Sequence, residues 1–131
     1  MSESKAPKIG TVGWIDLTVE DAPAIRDFYQ QVVGWKALGL DMEGYQDFVM
    51  QAPQDEEAVS GICHARGPNE GFPSSWLIYI TVAHLEQSLE KVLELGGQML
   101  RPPRGAGGHG RFAVIQDPAG AVCALFEAAK D

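Results

Sequence analysis

The sequence says much the same thing twice. Trp14-Ile15-Asp16-Leu17-Thr18-Val19-Glu20-Asp21 is a strand-like stretch leading into a helix-like one, Ala24 to Val33. About 63 residues further on, Leu77-Ile78-Tyr79-Ile80-Thr81-Val82-Ala83-His84 leads into Leu85 to Leu95. Each helix-like stretch ends at glycine, Gly34 in the first copy and Gly96-Gly97 in the second. A repeat of this length holds one strand, one helix and room for three more strands, which points to a duplicated supersecondary unit. Two such units facing each other enclose one pocket, and function is expected there.

Alternation along each strand separates two faces. Ile15, Leu17 and Val19 point one way, and Trp14, Asp16 and Thr18 the other; the second copy sets Ile78, Ile80 and Val82 against Leu77, Tyr79 and Thr81. The aliphatic face suits packing on a helix, and the mixed face suits a cavity. The helices carry matching apolar stripes, Ile25, Phe28, Tyr29, Val32 and Val33 in the first, and Leu85, Leu89, Val92 and Leu93 in the second. Asp21 is placed to cap the first helix, with Pro23 just inside its start.

Further strands are expected at 36–40, 47–51 and 59–65, and again at 98–100, 112–116 and 121–126. Asp117-Pro118-Ala119-Gly120 is a tight-turn sequence between the last two. Each half therefore reads β-α-β-β-β. The fold class is α+β, with two tandem modules forming curved mixed sheets around a cavity. Residues 8–131 form a single domain, with module 1 over about 8–66, a polar Gly/Pro linker over 67–75 and module 2 over about 76–128. Residues 1–7 read as a disordered lead-in.

Composition excludes several roles. No apolar run approaches the roughly 20 residues that span a bilayer, and Met1 to Pro7 does not resemble a signal peptide, so the cytoplasm is the expected location. A net charge of −8 repels phosphate backbones and anionic membranes, which argues against nucleic-acid and membrane partners. Gathered around a pocket, that charge together with aromatic walls would suit a cationic or aromatic ligand. Cys63 and Cys123 have no C-x-x-C spacing and read as small buried residues rather than a disulfide or zinc site.

The order of these elements resembles the vicinal oxygen chelate superfamily of glyoxalases, bleomycin-resistance proteins and extradiol dioxygenases. The resemblance rests on Ile15 to Asp21, on Phe28-Tyr29 followed by Val33-Gly34-Trp35, and on Asp117 to Gly120 before the final strand. It implies four metal-ligand positions. Three fall on Trp14, Leu77 and Ala124, which cannot ligate, and the fourth lies within 59–65, where His64 is the good candidate. One imidazole does not hold a divalent metal that needs about three protein ligands. The resemblance thus implies a metal-free member, with no cofactor.

The residues expected to bind a ligand are Trp14, Asp16, His64, Tyr79, Phe112 and Phe126; no catalytic residue is assigned. Aromatic walls suit planar or cationic groups. His64 could serve as a general acid or base, or as hydrogen-bonded structure; pairing it with Cys63 is rejected because strand neighbours face opposite ways. Gly105 to Phe112 is glycine-rich but lacks a phosphate-cradle pattern, and reads as a flap in which His109 and Arg111 gate the pocket, or as an ordinary hairpin. The expected function is metal-independent binding of a small organic molecule by a homodimer. The alternatives are a metal-dependent lyase, isomerase or dioxygenase of the glyoxalase type, and an interaction module whose cavity is filled by its own side chains.

Overall fold

The computed structural model describes residues 7–106 and 108–130. Of the lead-in expected over residues 1–7, only Pro7 lies within that range, and Gly107 of the glycine-rich segment lies outside it. The elements run β1 (Val12–Val19), α1 (Ala22–Val33), β2 (Lys36–Met42), β3 (Tyr45–Gln51), β4 (Ala58–His64), a 3-10 turn (Gly67–Asn69), β5 (Trp76–Thr81), α2 (Leu85–Glu94), β6 (Gln98–Gly105), β7 (Gly110–Gln116) and β8 (Val122–Ala128). Each half is β-α-β-β-β, and the fold is α+β as the sequence implies. The chain divides into two compact units, Trp14–Trp76 and Leu77–Asp131 together with Met1–Gly13.

In the unit Trp14–Trp76 the strands lie in the order β2-β3-β4-β1, with β1 parallel to β4 and the remaining pairs antiparallel. Ala22, Phe48, Met50 and Ile62 form its buried core, with Val19, Ile25, Tyr29, Trp35, Ala37 and Trp76 packed against it. Helix α1 starts where Asp21 accepts the Ala24 N–H at 3.2 Å, with Pro23 in the first turn, and ends at Gly34, whose φ of 79° is the left-handed value glycine tolerates. Its stripe packs only in part. Ile25 and Tyr29 turn inward, but Phe28 and Val32 are 54% and 60% exposed. A helix covering four strands buries one narrow face, so residues at its flanks stay wet.

The other unit has the order β5-β8-β7-β6, with β5 parallel to β8 and the rest antiparallel. Leu85 and Leu89 of α2 pack on Ala113, Ile115 and Leu125, joined by Ile80, Val82, Val92 and Cys123. The Asp117 turn closes as expected: its carboxylate accepts the N–H groups of Ala119 and Ala121 at 2.8 and 3.0 Å. At the N-terminal side of this unit, Gly10 donates its N–H to Thr81 O and Thr81 donates its own to Thr11 O.

Two expectations are corrected here. The strand expected at 98–100 runs on to Gly105, through Pro102 and Pro103. Proline cannot donate to a ladder, yet β6 is the end strand of its unit, and its register with β7 shifts on both sides of Arg101. The anticipated gate residue Arg111 stands opposite Glu127 on the helix side of β7, in phase with Ala113 and Ile115. It forms a bidentate pair with Glu86 of α2 at 2.7 and 2.8 Å and reaches Glu127 at 3.1 Å.

Candidate functional site

Residues paired across a ladder share a face. In the unit Leu77–Asp131, Tyr79 pairs with Ala124 and Phe112 with Phe126, while Val114 pairs with Ala124. These residues, with Leu77 and Thr81, occupy the face away from α2. The Tyr79 and Phe112 rings are tilted to each other with centroids 5.3 Å apart. Ala124 and Val114 are fully buried and make a floor; Phe112 is 7% exposed, and Tyr79 and Phe126 are half-buried at the rim. Three of the six residues expected from sequence therefore meet on one surface.

The same face carries two residues that sequence periodicity misses. Arg101 stands opposite Val114, and Arg104 opposite Phe112. The Arg104 guanidinium carbon lies 4.8 Å from the centre of the Phe112 ring. The only hint in the sequence is Pro102-Pro103 between two arginines, which reads as the end of a strand.

The other three expected residues lie in the unit Trp14–Trp76. Asp16 pairs with Gly61, and Trp14 shares that face: a Cβ at Gly61 would stand 3.2 Å from Asp16 Cβ and 3.6 Å from Trp14 Cζ2. Leu17, paired with Ile62, looks toward the core under α1. His64 is the last residue of β4, paired with Val19 and two residues on from Ile62, so its register position is not that of Trp14 and Asp16.

Its imidazole instead joins a cluster of its own. The Tyr45 ring meets it edge-on at 5.3 Å, and the guanidinium of Arg66 lies 4.4 Å from the centre of the Tyr45 ring. The buried Asp47 carboxylate accepts the His64 backbone N–H at 2.8 Å and stands 3.6 Å from Nδ1. That last distance is too long for a hydrogen bond, and Nδ1 is buried without a hydrogen-bond partner.

Electrostatics elsewhere are structural. Glu127 accepts the Leu85 N–H at 2.8 Å, and that bond, ahead of the Arg111 contact, holds its carboxyl below the usual range. The hydrogen bonds from Arg111 depress Glu86 to about 2, while Glu86 and Glu127 raise the guanidinium pKa of Arg111. Burial, then the nearby Asp117, pushes up the thiol of Cys123; both cysteines are free.

Residues 11–125 match the family model of the glyoxalase/bleomycin resistance protein/dioxygenase superfamily. The chain belongs to this superfamily. Among curated relatives it is 34% identical over 120 residues to CFP32 of Mycobacterium tuberculosis, whose name marks it as a candidate glyoxylase. It is 28% identical over 129 residues to the anthracycline biosynthesis protein DnrV of Streptomyces peucetius. These matches cover 91% and 89% of the chain but 46% of each relative, so the chain spans about half their length. A methylmalonyl-CoA epimerase from Streptomyces coelicolor superposes with a TM-score of 0.63 at 15% identity, covering 94% of this chain and all of that one. The Mycobacterium tuberculosis epimerase gives 0.61 at 14%, covering 99% and 94%. At such identities the likeness is one of fold.

The positions that the resemblance marks as metal ligands carry few donor atoms among the described residues. Of the family's ligand positions, Trp14 and Leu77 are hydrocarbon or indole, and Ala124 is a fully buried methyl group. Glu127, the nearest carboxylate in sequence, is turned to the helix side and occupied by Leu85 and Arg111. Among the described residues no three His, Cys, Asp or Glu side chains gather in a way that could hold a metal ion. No helix among them is long and apolar enough to cross a membrane.

Proposed function

We propose that this superfamily member binds a small organic molecule without a metal, on the sheet face of residues 77–131 that lies away from α2. The observation that carries the reading is the replacement of a ligand position by Ala124, with the Tyr79, Phe112 and Phe126 rings on the same face. Removing donors and supplying aromatic area exchanges Lewis-acid chemistry for stacking and hydrophobic contact. Trp14 and Asp16 offer a second candidate wall in their own unit. Native mass spectrometry of freshly purified protein tests the reading: an organic adduct and no metal supports it, and one divalent ion per chain overturns it.

We further propose that the working form is a homodimer. The end strand β2 presents Leu38, Leu40 and Met42 on one exposed face. A second copy is the natural cover for such an edge strand.

One observation favours a second reading, proton-transfer catalysis. Asp47 lies 3.6 Å from Nδ1 of His64, and closing that gap by a few tenths of an ångström on ligand binding would make the hydrogen bond that orients an imidazole for proton transfer at Nε2. A glyoxalase assay decides it, since activity that is lost in His64→Gln would replace simple binding with turnover.

A further inference from the structure

In a regular strand, residues three apart face opposite ways. Arg101 and Arg104 do not follow that rule. Their partners on β7 are Val114 and Phe112, which are two apart and share a face, and the register shift between them takes up the extra residue at Pro102-Pro103. A bulge of this kind re-aims a side chain, and here it puts both arginines in register with the face of Tyr79, Phe112 and Phe126, with the Arg104 guanidinium over the Phe112 ring.

Two half-buried arginines on one face are unexpected in a chain with 10 basic and 18 acidic residues. Burial of a guanidinium is costly unless aromatic or anionic partners compensate. Arg104 has the Phe112 ring, and each arginine also makes a further interaction in the protein, which helps to fix its position. A guanidinium carries five N–H donors, so one already engaged within the protein keeps others with which to meet a carboxylate or phosphate. Among the described residues of this face, the arginines are the charged groups.

From this geometry we propose that the ligand is an organic anion with a planar portion: its carboxylate or phosphate meets Arg101 and Arg104, and its flat part lies against Tyr79 and Phe126. The proposal rests on the small-molecule reading above and narrows its ligand class. It departs from the cationic ligand that the net charge of −8 suggests, because local charge at a site outweighs the distant, screened surface charge.

Three probes sharing one ring test it: 2-naphthoate, 2-naphthylmethanol and 2-naphthylmethylammonium, titrated calorimetrically into the full chain. The naphthoate should bind at least about tenfold tighter than the other two, a difference worth about 1.4 kcal/mol. R101Q and R104Q should each erase most of that preference, weakening the naphthoate far more than the alcohol, and Tyr79→Ala should weaken all three. Equal binding of the three probes, or a preference for the ammonium, overturns the anion assignment and leaves the small-molecule reading standing. That comparison uses wild-type protein, so it holds even where an arginine variant fails to fold. Binding of no probe at millimolar concentration overturns both.

Discussion

The carboxylate of Glu127, on the last strand, accepts the backbone N–H of Leu85, the first residue of α2 and 42 positions earlier in the chain. His84, at the usual capping position, makes no side-chain cap, so a residue from another element does that work. Arg111 then ties Glu127 to Glu86 within the first turn of the helix.

This arrangement predicts an acid-sensitive stability. Glu86 is depressed from 4.5 to about 2 and Glu127 is depressed as well, so both bind protons more weakly when folded than when unfolded. Their contribution is present above about pH 4.5 and is lost as pH falls from there toward 2. Thermal melts of wild type and Glu127→Gln should differ most near neutrality and converge in acid. A constant gap from pH 7 to pH 3 would contradict this.

Leu17→Ala and Trp14→Ala should differ sharply. Leu17 is 6% exposed in the packed layer, and its truncation should cost about 2–5 kcal/mol in a denaturant titration. Trp14 is partly exposed on the other face, so its truncation should cost much less while weakening any ligand found. Equal losses of stability would make Trp14 packed core rather than a wall.

Purified protein should contain no stoichiometric Ni, Zn, Fe or Mn, and chelators should leave its melting temperature unchanged, since no metal binding would be linked to folding. Elemental analysis after mild dialysis checks this; about one ion per chain would refute it.

Light scattering should report about twice the 14.2 kDa of one chain. Leu40→Lys on the exposed face of β2 should shift the mass toward one chain without a large change in melting temperature. A mass of about 14 kDa for wild type at every micromolar concentration would reject the dimer.

Much of the fold was legible because local signals agreed with one another. Asp21, Pro23 and Gly34 bracket α1 in the sequence as they do in space, and alternation placed Leu17 inward and Tyr79 opposite the helix. What periodicity could not supply were relations set by distant partners. Glu127 as a cap needs β8 beside α2, which no window of sequence contains. Arg101 and Arg104 needed the bulge, since alternation alone puts one of them on the wrong side. His64 stands in register with Val19, yet its imidazole meets Asp47 and Tyr45 of β3, contacts that alternation along β4 could not supply. The α1 stripe told which residues are apolar but not how wide a sheet would cover them, so Phe28 and Val32 remain exposed.

Gly61 has no side chain, yet it governs how large its neighbours can be. A methyl group at that position would stand 3.2 Å from Asp16 Cβ and 3.6 Å from Trp14 Cζ2, so the room beside the indole is set by how little position 61 occupies. Alanine there would press on Asp16, which must give by tenths of an ångström, and would meet the indole at an ordinary contact distance, whereas a larger side chain would push the ring off its seat. The dimensions of this surface can therefore be adjusted from beneath, by substituting a residue that offers a ligand nothing to touch.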